Sequence, residues 1–96
     1  MPLLVKLCSD SAAYEAIPRR RISFNMKTAQ QLFDANKNFD IIMYTPHIII
    51  LKNTQDREVT FSKDGRMLVK NTLNVEEATV LAHDVLETAS KAIKSE

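Results

Sequence analysis

Ninety-six residues, of which 45% are hydrophobic and 26% charged, suffice for one packed core and not for two. Thirteen Lys+Arg stand against 12 Asp+Glu, and a formal net charge of +1 with apolar residues recurring along the chain excludes a charge-extended disordered polypeptide. The longest apolar stretch, residues 41–51, is broken by Pro46 and falls well short of the ~20 residues a membrane span needs, so a soluble protein with no membrane partner is expected.

Taken in chain order, PLLVKLC (residues 2–8) reads as an edge strand and SAAYEAI (11–17) as a helical turn ended by Pro18. Residues 1–18 are thus an N-terminal segment beside a single-domain core expected over 20–90. RRRISFNM (19–26) alternates, with Ile22, Phe24 and Met26 on one side and Arg21, Ser23 and Asn25 on the other, as a half-buried strand does. Thr28 and Gln31 stand at capping-box spacing and Ala29, Leu32 and Phe33 share a face, which predicts a helix over 28–36. Four strands follow, at 39–44, 47–52, 57–62 and 66–70. Turn residues at Thr45-Pro46, Asn53 to Asp56 and Asp64-Gly65 separate them, and connections this short make neighbours antiparallel. From Asn74 onward Ala78, Leu81, Ala82, Val85, Leu86, Ala89 and Ile93 form one apolar helical stripe, and Asn74 with Glu77 is a second capping-box pair. Twenty helical residues would span ~30 Å against strands of ~17 Å, so this helix should bend or split near 88–90. The order strand, helix, four strands, helix predicts an α+β fold: a two-layer α/β sandwich, an antiparallel sheet with both helices on one face.

The uncovered sheet face is then the surface to read. A two-residue Asp64-Gly65 turn would pair Phe61 with Leu68 on the open face, whereas a three-residue turn with Gly65 as a bulge, which sorts the side chains more cleanly, puts Val59, Phe61, Met67 and Val69 in the core and leaves Thr60, Ser62, Arg66, Leu68 and Lys70 outside. Arg19, Arg21, Ser23 and Asn25 would join Arg66 and Lys70 as a basic, hydrogen-bonding surface for DNA, RNA or another anion. On the same face Ile42, Tyr44, Ile48 and Ile50 would form an apolar strip suited to a protein partner or a homodimer.

The segment EVTFSKDGRMLVKNTLNVEEATVLAHDVLE, with Phe61 closing a strand, Gly65-Arg66-Met67 entering the next and Glu76 and Glu77 opening a helix, resembles the end of one repeat of the TATA-box binding protein family. Tyr44-Thr45-Pro46 is similar to that family's Tyr-Asn-Pro step, and the element order agrees over residues 20–90. The chain as a whole also resembles a family of small archaeal proteins with the same kind of fold. The first resemblance implies an open sheet that sits in the DNA minor groove and wedges phenylalanines between base steps. Here the turn after Phe61 is one residue longer and the second wedge position is missing. A single repeat would need a dimer to span DNA.

Chemistry has few candidates. Cys8, His47 and His83 stand in no spacing known to build a triad or a metal site, and one glycine allows no phosphate-binding loop. Glu76 and Glu77 are explained by the helix dipole, and Asp34 with Asp40 is no more than a nominal pair. No enzyme activity, metal or cofactor is expected. The start MPLLVKLC lacks a secretory-signal pattern and a lone cysteine makes no internal disulfide, so the cytoplasm is the expected compartment.

Overall fold

Alternating apolar residues give six antiparallel strands, the last four of them joined by short turns. The computed structural model describes residues 3–8, 13–20 and 22–93. Its strands are β1 (Leu3–Cys8), β2 (Ala13–Pro18), β3 (Phe39–Tyr44), β4 (Ile48–Asn53), β5 (Glu58–Ser62) and β6 (Met67–Lys70). Helix α1 (Met26–Ala35) lies between β2 and β3, and α2 (Val75–Ala89) follows β6 and passes into a 3-10 turn at Ser90–Ala92. The sheet runs β1-β2-β6-β5-β4-β3, antiparallel at every pairing, with both helices packed on one face. Among the described residues no helix is long and apolar enough to cross a membrane.

The four-strand meander and the split C-terminal helix lie where the turn chemistry and the helix length put them. At the 62–66 turn, Ser62 N–H donates to Arg66 O (2.8 Å) and Gly65 N–H to Ser62 O (2.9 Å), while Gly65 has φ +86°. This three-residue loop pairs Phe61 with Met67, and both are buried. A Cβ on Gly65 would lie 2.9 Å from both Ile22 Cδ1 and Pro18 Cγ, so the turn demands glycine for space as well as for φ.

Two expectations are overturned. Residues 13–18 are a strand and not a helical turn: Tyr14 and Ala16 pair with Val69 and Met67 on one side while β1 pairs on the other, and two backbone ladders outweigh the helical preference of Ala and Glu. β2 therefore supplies the strand that precedes α1, in place of the strand expected over residues 19–26, and it lies beside β6. Within that segment Phe24 makes only a single bridge, to Ile93, and Met26 already opens α1. Phe24 N–H donates to Lys63 O (2.9 Å) and Asn25 N–H to Ala92 O (2.8 Å), so the segment runs across the end of the sandwich. Its alternation is real, because Phe24 and Met26 are buried and Ile22 packs on the core, but it belongs to a connection that plugs the core.

The plug completes an aromatic cluster. Phe24 and Phe33 meet Phe61 edge-on at ring-centroid distances of 4.9 and 5.5 Å, and Phe39 meets Phe33 at 6.1 Å. Around them pack Ile49, Leu51, Val59, Met67, Val69 and the Ala78–Ala89 stripe of α2, with no buried polar or charged residue among those described. Arg57 Nε lies 2.8 Å from Glu77 Oε1, tying the start of α2 to the strand side. That contact and a hydrogen bond from Leu73 N–H hold the Glu77 carboxyl below the usual glutamate range, the guanidinium being the larger cause, against a partial offset from desolvation.

Candidate binding face

Each strand that puts one side chain into the core puts the next on the uncovered face, and antiparallel pairing lines these up in rows across the sheet. The first row is charged: Asp40 pairs with Lys52, Lys52 with Glu58, Glu58 with Lys70, and Lys70 with the small Ala13 of β2. The next row reads Met43, Ile50, Thr60, Leu68, Glu15 and Lys6. Beyond it Ile48 pairs with Ser62, and Ile17 with Leu4. The face is thus an apolar band bordered by one row of alternating charge.

The pairing register of β3 shifts between Ile41 and Met43, so Ile42 and Met43 together stand opposite Ile50. Ile42 is 56% exposed and Met43 42%. The same bulge corrects one expected position. Tyr44 pairs with Ile49, whose side chain is in the core, so it belongs to the helix-facing side at the sheet's end, and Met43 takes its place in the strip. Ile42, Ile48 and Ile50 lie on the uncovered face.

The expected basic surface divides. Lys70 is on the open face and Arg66 at its rim, each with a carboxylate near: Lys70 Nζ is 3.7 Å from Glu58 and Arg66 Nε 3.9 Å from Asp64. Lys52 is 3.0 Å from Asp56 and Lys6 3.7 Å from Glu15. Asn25 is not on the sheet: its side chain caps α1, accepting from Thr28 N–H at 3.2 Å, in the role that the spacing had given to Thr28. Ser23 is half-buried in the plug, beside His47, Ser62 and Lys63, in a hollow of about 400 Å³. Arg19 is exposed just past β2 and, with Arg20, Arg66, Asp64 and Pro18, lines a second hollow of about 490 Å³. Arg21 and the side chain of Cys8 lie outside the described residues.

His47 and His83 are exposed, and among the described residues no three His, Cys, Asp or Glu side chains gather as metal ligands. Asp40, Lys52 and Glu58 are not among the expected site residues, although alternation outward from Phe39, Leu51 and Val59 gives all three. Nor is Met43, for which only the bulge is responsible, nor are Leu4, Lys6, Glu15 and Ile17, which depend on the pairing of β1 and β2. Comparison with protein-family models, with curated proteins and with solved structures finds no match.

Proposed function

We propose that this protein is a non-enzymatic association module that binds protein through the uncovered face of its sheet. The observation that carries the reading is the apolar band of Ile42, Met43, Ile48, Ile50 and Leu68, whose bordering cations each have a carboxylate within 3.9 Å. An apolar surface with its charge internally compensated gains free energy by excluding water and offers little net field to a polyanion. The lone cysteine fits action in a reducing compartment such as the cytoplasm. A TATA-box-binding-protein-like fold is part of this reading, supported by the order β2-α1-β3-β4-β5-β6-α2, which keeps the strand, helix, four strands, helix series of the resemblance. The face that would meet DNA in that family carries isoleucine, leucine and threonine here, with no phenylalanine among its described residues.

Sedimentation velocity over a range of protein and salt concentrations tests the reading. Association should persist at high salt and be lost in Ile50→Lys and Ile42→Lys, both checked for folding by circular dichroism. Association that both variants retain would exclude this face.

A second reading rests on a different observation: Arg19, Arg20 and Arg66 converge on one hollow with Asp64 as the sole acid among the described residues that line it, beside the hollow that holds Ser23, His47 and Lys63. DNA, RNA or another anion would then bind at the hairpin end of the sandwich. Fluorescence anisotropy of labelled single- and double-stranded DNA and RNA tests it. Binding that weakens steeply with salt and disappears in an Arg19→Ala, Arg66→Ala variant supports this site. Binding unchanged in that variant removes it.

A further inference from the structure

We infer that the occupant of the open face is a second copy of this chain, related by a two-fold axis that runs along the strands between β4 and β5. The inference rests on the reading of that face as a protein-association surface and goes beyond it by naming the partner and the register.

Charge order selects the arrangement. Across β3, β4, β5 and β6 the bordering row reads Asp40, Lys52, Glu58, Lys70, that is minus, plus, minus, plus. Rotation by 180° about an axis along the strands reverses the order of strands and keeps each row at its own height. With the axis between β4 and β5, Asp40 faces the partner's Lys70 and Lys52 faces the partner's Glu58, so every facing pair is opposite in sign. The apolar row matches as well: Ile42 and Met43 meet the partner's Leu68, and Ile50 meets the partner's Thr60. Glu15 and Lys6, themselves 3.7 Å apart, fall outside the overlap and stay in water.

The competing axes are worse. Moved one strand over, between β5 and β6, the axis would set Glu15 against the partner's Ile50 and Lys6 against the partner's Met43, stranding charge on an apolar surface. An axis across the strands would set the charged row against the Ile48 and Ser62 end of the face. Aligned packing of two sheets at the slight angle set by their twist is a common solution for such faces. Four overlapping strands cover about 19 by 20 Å in plan, roughly 400 Å² a side and about half of a standard interface, so the dimer should be weak and reversible, populated at roughly 100 μM and above.

The test is a charge swap read by mixing. In Asp40→Lys alone, both facing pairs of a homodimer become plus on plus; in Lys70→Glu alone, both become minus on minus. Each variant should dimerise at least roughly tenfold more weakly than the wild type. Mixed together, the two should form a heterodimer of near wild-type affinity, because Lys at 40 in one chain then faces Glu at 70 in the other at one pair, and native Lys70 faces native Asp40 at the second. Sedimentation equilibrium of the separate and mixed variants, with thermal unfolding as the folding check, reads this directly. If a swap unfolds, Asp40→Asn and Lys70→Gln should each weaken the dimer several-fold, and unchanged affinity in both would overturn the register. Dimerisation that Ile42→Lys abolishes but the swap pair does not re-form on mixing overturns the two-fold arrangement and leaves the association reading standing. A wild type still monomeric near ~1 mM, where even a binding free energy of about −4 kcal/mol would populate the dimer, overturns the second copy as occupant.

Discussion

The two faces of the sheet are made by the same strands and ordered on different principles. On the covered face the central rows are made of apolar and aromatic side chains, with Asn53 opposite Phe39 at their end, and three phenylalanines from a loop, a helix and a strand, Phe24, Phe33 and Phe61, meet edge to edge. There the contribution of a residue depends on volume and fit, and neighbours across strands are interchangeable in kind. On the uncovered face the residues are sorted by row: one row of alternating charge, then a row dominated by isoleucine, methionine, threonine and leucine. Alternation along a strand decides which face a residue joins, whereas register between strands decides what pattern that face presents.

Substitutions of graded size sharpen this contrast. Phe61→Ala should cost the most, about 3–5 kcal/mol, since it empties the centre of the aromatic cluster; urea denaturation measures it. Gly65→Ala should come next at about 2–3 kcal/mol, from a left-handed φ of +86° and a Cβ pressed on Pro18 and Ile22, seen as a lower Tm. A loss of about 1 kcal/mol is expected for Asn74→Ala, whose side chain accepts from Glu77 N–H at 2.9 Å. Leu68→Ala, one residue from Met67 but on the other face, should cost less than about 1 kcal/mol in the monomer; a loss as large as that of Phe61→Ala would erase the distinction between the faces. Glu77→Gln tests acid behaviour. Because Arg57 depresses the folded carboxyl, the stability it contributes is present above the ordinary glutamate range (~4.3) and is lost as pH falls through the lower folded value. The wild type should therefore lose more stability on acidification than the variant does, as denaturation at stepped pH would record.

Where the chain is locally self-sufficient, the sequence was readable. The meander, its turns, the Gly65 bulge, the Phe61 to Met67 pairing and the Asn74 cap are each dictated by residues a few positions apart. Elements that required partners distant in sequence were not readable. Residues 13–18 have helical composition and become strand because β1 and β6 flank them. Residues 22–26 alternate like a strand, yet the place in the sheet is taken, and Phe24 instead closes the core against Ile93, far along the chain. Of the expected anion-binding residues, Arg66 and Lys70 keep their side of the sheet, while Asn25 is used by the backbone of α1. The apolar strip was legible except at Tyr44, since a one-residue bulge leaves no mark in composition and inverts the facing of the strand residues beyond it.

That bulge also limits how large an assembly can grow. β3 is one of the two edges of the sheet, and its ladder is interrupted at Ile42. A continuous filament built by adding sheet to sheet would need β1 of each copy to zip against an unbroken β3 of the next. With β3 kinked, the remaining edge joint is β1 to β1, which is spent once made. The bulge thus denies the sheet the straight second edge that head-to-tail extension requires, and exposed isoleucine and methionine on its open face are not joined to a continuous edge at β3.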